Sequence, residues 1–68
     1  MKKIKLRDKT IRLGQLLKLS DIVSTGGEAK VRIQSGDVTV NGLVELRRGA
    51  QMKSGDIIIV DDISVVVE

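Results

Sequence analysis

The sequence contains no Cys, His, Pro, Phe, Tyr or Trp. Without Cys it can form no disulfide, and without Cys and His it lacks the ligands of the usual zinc frameworks. A chain of 68 residues therefore has to hold one small domain together by packing aliphatic side chains. Ile, Leu and Val supply that core, so we expect a single domain over 1–68 that needs no cofactor and no metal.

The same absences argue against an enzyme. The commonest general base, His, and the commonest thiol nucleophile, Cys, are both missing. No Ser or Thr has a visible base partner, and Gly26-Gly27 lacks the remainder of a P-loop signature. We therefore expect a binding protein with no catalytic residues.

Long apolar runs are absent as well. The basic start, 1–5, is not followed by the apolar stretch of a signal peptide. No segment approaches the 18 consecutive apolar residues that a membrane span requires. These features predict a cytoplasmic protein with no membrane partner.

Charge is present in quantity and is unevenly distributed. Residues 1–53 hold all twelve Lys and Arg against five acids, whereas residues 54–68 hold four acids and no cation. A basic body beside an acidic end predicts one positive face and a polyanionic partner, although ordinary solubilising charge explains the same numbers. Because there are no aromatic rings on which bases could stack, the pattern favours contacts with phosphates and with RNA shape.

Apolar periodicity predicts two short helices. Thr10 is placed to cap the first, whose buried face is formed by Leu13, Leu16 and Leu17 at the spacing i, i+3, i+4. The segment 25–28, Thr-Gly-Gly-Glu, has the capping-box pattern and opens the second, which Ser35-Gly36 ends.

The rest of the chain predicts strands. Strict alternation over 3–7 indicates a half-buried strand with Ile4 and Leu6 inward. Asn41-Gly42 joins 37–40 to 43–46 in a hairpin, and 57–60 and 63–67 form a second hairpin. The predicted architecture is α+β, with the two helices packed on a small, mostly antiparallel sheet.

The start of the second helix is the first candidate site. A helix N-terminus carries unpaired N–H groups and a partial positive charge, and two glycines let an anion come close to them. Thr25, Gly26, Gly27 and Lys30 would then form a phosphate seat, with Gln34 on the neighbouring strip. The alternative is an ordinary capped helix whose glycines are forced by packing against the first helix.

A second candidate is the loop that begins at Arg47-Arg48-Gly49, with Lys53 beyond it. The guanidinium group of Arg can donate two hydrogen bonds to the oxygens of one phosphate. We expect this loop to be mobile and cationic. Arg32 is discounted, because Glu28 lies four residues before it and predicts an ion pair within the helix. The basic residues between Lys2 and Lys9 are expected to add to the positive field without direct contact.

Several of these residues together resemble a known family. Arg12-Leu13-x-x-Leu16-Leu17, Glu28-Ala29-Lys30-x-x-Ile33, Gly36-x-Val38-x-Val40-Asn41-Gly42 and Gly55-Asp56 resemble the RNA-binding domain named after small-subunit ribosomal protein S4, also called the alpha-L motif. The resemblance covers about 11–60. The segment 25–30 with Glu45-x-Arg47-Arg48 looks more narrowly like a stand-alone bacterial branch of the family, and Gln15 and Gly26 replace cations of the broad pattern.

The resemblance implies two helices against a small sheet, with RNA held across the helices and the adjacent loop. We therefore expect a monomer that binds structured RNA, either ribosomal or transfer RNA, in ribosome assembly or translation, with the ribosome or a ribosomal subunit as a possible platform. The alternative is a protein-interaction adaptor that pairs its apolar terminal strands with a partner sheet. The residues expected to contact RNA are Arg12, Lys18, Thr25, Gly26, Gly27, Lys30, Gln34, Arg47, Arg48 and Lys53.

Overall fold

The computed structural model describes residues 1–68 and contains two helices and seven short strands. Neither helix is long and apolar enough to cross a membrane. In chain order the elements are β1 (Lys2–Ile4), β2 (Thr10–Arg12), α1 (Leu13–Leu19), α2 (Gly26–Gln34), β3 (Val38–Val40), β4 (Leu43–Val44), β5 (Gln51–Lys53), β6 (Ile57–Val60) and β7 (Ile63–Val67).

The strands form a five-stranded sheet and a separate two-stranded ribbon. The sheet has the order β1-β7-β6-β3-β4, and only the β1–β7 pair is parallel. The ribbon pairs β2 with β5 in antiparallel register, Ile11 opposite Met52. The predicted α+β architecture with a mostly antiparallel sheet is therefore confirmed, and the ribbon is an addition that the sequence did not predict.

The core lies between the helices and one face of the sheet. Leu13, Leu16 and Leu17 are completely buried, as the helical spacing predicted. Alternate residues of β6, Ile58 and Val60, are also completely buried, whereas Ile57 and Ile59 lie on the outer face of the sheet. The helices thus cover one side of the sheet and leave the other side open.

Two predictions at the start of the chain are wrong. Thr10 does not cap the first helix, because it lies in β2 opposite Lys53. The helix begins at Leu13 with no side-chain cap, and backbone carbonyls of the loop before β5 accept hydrogen bonds from its first N–H groups. The first strand ends at Ile4 and not at Arg7, although Ile4 and Leu6 do pack on the core as predicted.

The second helix begins as the capping-box pattern predicted. The Thr25 hydroxyl accepts a hydrogen bond from the Glu28 N–H at 3.1 Å. The Glu28 carboxylate in turn accepts one from the Ser24 N–H at 2.8 Å, one residue before the cap. The predicted pair between Glu28 and Arg32 is wrong, because Arg32 reaches Asp37 and Asp61 instead.

Asp56 helps to hold the turn at Asn41-Gly42 in place through a hydrogen bond. Asn41 and Gly42 both have positive φ angles, 52° and 87°, as the hairpin prediction requires. The side chain of Asn41 donates to the buried carboxylate of Asp56 at 3.0 Å and accepts from the Ile57 N–H at 2.9 Å. The returning strand is shorter than predicted, since β4 ends at Val44.

Asp56 also holds the turn between β5 and β6. Its carboxylate accepts hydrogen bonds from the Lys53 backbone N–H at 2.8 Å and from the Lys53 ammonium at 3.2 Å. Burial raises the pKa of Asp56, but the bonds from Lys53 and Asn41 outweigh burial and leave it below its ordinary value. Asp56 therefore stays charged and ties two turns together.

Candidate nucleic-acid interface

The loop between β4 and β5 is fastened to the start of α1. The Leu13 N–H donates to the Ala50 carbonyl at 2.8 Å, and the Gly14 N–H donates to the Arg48 carbonyl at 3.0 Å. A Cβ added to Gly14 would lie 2.8 Å from Cγ of Arg48, closer than side chains tolerate. Glycine at this position therefore lets the Arg48 side chain lie directly on the helix.

This contact forms one wall of an open groove of about 620 Å³. We call it the cationic groove, and Arg12, Gly14, Lys18, Gly26, Arg48 and Gly49 line it. Gln15 and Leu19 form its remaining edge. The groove contains three cations and no acid, and none of the three takes part in an ion pair. Its charge is therefore uncompensated and available to an anion.

Helix α2 begins at the same groove, because its first residue, Gly26, lines it. The N–H groups of Gly26 and Gly27 make no hydrogen bond within the chain, since Thr25 satisfies the donors of Glu28 and Ala29 instead. A Cβ at Gly26 would meet nothing within 4 Å, and one at Gly27 only the Thr25 hydroxyl at 3.9 Å. Packing thus does not force these glycines, and the explanation that they fit against the first helix is wrong.

Residues 4–68 match the S4 domain family. The chain belongs to this family. The match extends beyond the 11–60 segment that carried the resemblance, and it confirms the family inferred from the sequence.

Two similar proteins agree with this assignment. The chain is 38% identical over 55 residues to "Probable ribosome maturation protein RlbA" of Bacillus subtilis (strain 168), covering 81% of this chain and 78% of that protein. The solution structure of YbcJ from E. coli, described as an alpha-L motif involved in RNA-binding, superposes with a TM-score of 0.75 at 32% identity. That superposition covers 98% of this chain and 86% of YbcJ.

The S4 domain places the two neighbouring arginines of the loop in different environments. Arg48 lines the cationic groove, whereas Arg47 turns back onto Glu45, with Nε 3.1 Å from the nearer carboxylate oxygen. The Arg47 side chain, and then its backbone N–H, donate to Glu45 and hold the pKa of that carboxyl below its ordinary value. Arg47 is therefore an ion-paired residue that does not line the cationic groove, although 80% of its side chain is exposed.

The other residues predicted to contact RNA also fall into two groups, those that line the cationic groove and those that do not. Lys53 lies in β5 and not in a mobile loop, and its ammonium is bound to Asp56. Lys30 and Gln34 are exposed on α2 but do not line the cationic groove, and Thr25 serves as the helix cap. The structure thus brings Arg12, Lys18, Gly26 and Arg48 together, with Gly27 beside them.

Sequence analysis missed the structural role of Gly14 and the exposure of Leu19. Leu19 is 58% exposed, because it falls outside the stripe formed by Leu13, Leu16 and Leu17. Its position off that stripe was a signal available in the sequence. The close contact at Gly14 was not, since it depends on a loop that lies more than thirty residues later in the chain.

Proposed function

We propose that this S4-domain protein binds structured RNA through its phosphate backbone, in ribosome maturation, and that it acts without catalysis. The observation that carries the proposal is the cationic groove, in which three unpaired cations and no acid lie beside two unpaired helix-terminal amides. Arg forks and N-terminal amides are both good ligands for phosphate oxygens.

The kind of nucleic acid follows from composition and from the relatives. No aromatic side chain exists on which successive bases of a single strand could stack, so the groove suits a backbone that is already shaped by pairing. YbcJ is described as involved in RNA-binding, and the Bacillus subtilis relative is described as a probable ribosome maturation protein. The first description favours RNA as the partner, and the second favours ribosomal RNA or a precursor of it.

The adaptor hypothesis loses its main support. The two apolar strands, β6 and β7, both lie inside the sheet, with β6 between β7 and β3 and β7 between β6 and β1. Each is hydrogen-bonded on both edges, so neither can accept a strand from a partner. The free edges belong to the short strands β1 and β4.

The proposal is tested by competition against a labelled hairpin RNA at moderate salt. Unlabelled folded RNA should compete well, whereas poly-uridine should compete poorly. Binding of poly-uridine as tight as binding of the hairpin would contradict it, since the chain has no row of aromatic rings on which successive bases could stack. Co-sedimentation with purified ribosomal subunits, using Arg12→Glu as the matched control, tests the ribosomal partner separately.

A further inference from the structure

A second groove of about 430 Å³ lies next to the cationic groove. We call it the N-terminal groove, because the segment between β1 and β2 forms one side of it and α1 forms the other. The two grooves share Gln15 and Leu19 on the exposed face of α1. A ligand that fills one groove therefore reaches the other by crossing a ridge of two side chains.

The floor of the N-terminal groove is apolar and firmly held. Ile4, Leu6 and Ile11 line it while packing on the buried core, and the exposed side of Leu19 completes the apolar surface. The cationic groove has only Leu19 as an apolar lining residue. The two grooves thus differ in chemistry: the cationic groove is mainly polar and charged, whereas the N-terminal groove can cover a flat apolar group.

The polar side chains of the N-terminal groove are exposed and have few partners within the chain. Asp8 and Gln15 make no hydrogen bond or ion pair within the chain, although Asp8 lies between the two cations Arg7 and Lys9 in sequence. The Thr10 hydroxyl has only a long contact, 3.4 Å, to Gln51. A groove that served phosphate alone would have no use for the Asp8 carboxylate, which repels anions and accepts hydrogen bonds.

We infer that the N-terminal groove takes one unpaired nucleoside of the RNA whose adjoining phosphates lie in the cationic groove. The inference rests on the proposed RNA binding and adds the class of RNA feature that is recognised, an extrahelical nucleotide in a paired region. The base face covers Leu19 and Ile11, the Gln15 amide meets the base edge, and Asp8 accepts from a hydroxyl or amino group of the nucleoside.

The size and the surroundings of the groove suit this ligand. Its volume is within the range of about 300–1,000 Å³ for small-molecule sites. Lys5 and Arg7, both free of ion pairs, line the same groove and add positive charge around the bound nucleotide. Proteins that hold a flipped nucleotide combine apolar contact with its face and hydrogen bonds to its edge, and both are available here without an aromatic ring.

Three hairpin RNAs test the inference by fluorescence anisotropy: one fully paired, one with a single-nucleotide bulge, and one with the same bulge lacking its base. The protein should bind the bulged RNA about fivefold to tenfold more tightly than the paired one, a gain of the size that one or two net hydrogen bonds contribute. The RNA with the abasic bulge should bind like the paired RNA, since only the base has been removed.

Asp8→Ala should change RNA affinity in opposite directions, depending on whether Asp8 only repels phosphate or accepts a hydrogen bond from the nucleoside. If Asp8 were only a negative charge, its removal would tighten binding of all three RNAs, as Asp62→Ala at the β6–β7 turn should do slightly. If Asp8 accepts from the nucleoside, Asp8→Ala should weaken binding of the bulged RNA and abolish its advantage. Gln15→Ala should act in the same direction.

Equal affinity for bulged and paired RNA, or an Asp8→Ala variant that tightens all three as Asp62→Ala does, would overturn the inference. Arg48→Ala separates this failure from failure of the proposed function. If it still weakens every RNA, phosphate binding stands and only the nucleoside site is lost. If no RNA binds, or Arg48→Ala has no effect, the proposed function itself fails.

Discussion

The two ends of helix α2 use charge in different ways. At its N-terminus, the free amides of Gly26 and Gly27 adjoin a groove with three cations and no acid. At its C-terminal turn, Arg32 lies 2.6 Å from Asp61 and 3.1 Å from Asp37. The positive charge at the N-terminus is free to bind a ligand. The charge of Arg32 at the C-terminal turn is neutralised by ion pairs, one of which holds the turn between β6 and β7 against the helix.

The same contrast separates neighbours in the loop. Arg47 forms an ion pair with Glu45, whereas Arg48 forms no ion pair within the chain. A net charge of +3 at pH 7 therefore says little about where a polyanion binds. The unpaired cations decide it, and three of them, Arg12, Lys18 and Arg48, meet in the cationic groove.

The largest effect should come from reversing a charge in the groove. Arg12→Glu should weaken binding of a hairpin RNA by at least about thirtyfold, since a charge-assisted hydrogen bond is worth roughly 1.5–3 kcal/mol and repulsion is added to its loss. The melting temperature should hold or rise, because an acid at the uncapped start of α1 is favourable for the helix dipole. A fall in melting temperature that tracks the loss of binding would instead indicate damage to the fold.

A smaller loss should follow from moving Arg48 without removing it. Gly14→Ala places a methyl group 2.8 Å from Cγ of Arg48 and should push that side chain off the helix. We expect about fivefold to tenfold weaker RNA binding, even though alanine favours a helix by up to about 1 kcal/mol over glycine. Combining Gly14→Ala with Arg48→Ala should add nothing beyond Arg48→Ala alone, and full additivity in this cycle would show that Gly14 acts by another route.

The amides of α2 should contribute less than either arginine. Gly27→Ala meets open space in the fold, so thermal stability should rise by up to about 1 kcal/mol. RNA binding should weaken by about threefold if a phosphate approaches the amides closely. Gln34→Ala, at the far end of the same helix, is the matched control and should stay within about twofold of the parent. Unchanged affinity in Gly27→Ala would remove the amides from the site.

The smallest effect should be that of pH. Between about pH 5.5 and 8.5 RNA affinity should change by less than about twofold, since the sequence has no His and the reference pKa values of Asp, Glu and Lys side chains lie outside this range.

Stability should behave differently in acid. The pKa of Asp56 is lower in the folded protein than in the unfolded chain, so its contribution is full above about pH 4 and is lost as the pH falls through the folded value. Melting curves and anisotropy at pH 3, 5.5, 7 and 8.5 measure both properties. A step in affinity within the neutral range would contradict the account.

Most of the fold could be predicted because local signals and burial agreed. The Leu13, Leu16 and Leu17 spacing, the capping box at Thr25 and the Asn41-Gly42 turn each specify structure within a few residues, and each was confirmed. The start of α1 could not be predicted in the same way. Thr10 is a residue type that often caps helices, but here it belongs to β2, which pairs with β5, a strand distant in sequence.

The site could be predicted only as a set of candidates. Sequence alone cannot distinguish Arg48 from Arg47, because the difference lies in whether a carboxylate happens to face each side chain. Arg32 is ion-paired as expected, but the predicted partner Glu28 is wrong for the same reason, since Asp37 and Asp61, both outside the helix, take its place. Local spacing identifies charged residues, but tertiary contacts decide which charges remain free.

The salt dependence of RNA binding tests the central claim most directly, with Arg47→Ala and Arg48→Ala measured beside the parent protein. If the three groove cations neutralise about three phosphates, the slope of log affinity against log salt should be roughly −2 to −3. Arg48→Ala should reduce the size of that slope by about one, and Arg47→Ala should leave it unchanged. A parent slope shallower than about −1, or equal changes in the two variants, would contradict the claim that unpaired cations in the groove bind the RNA backbone.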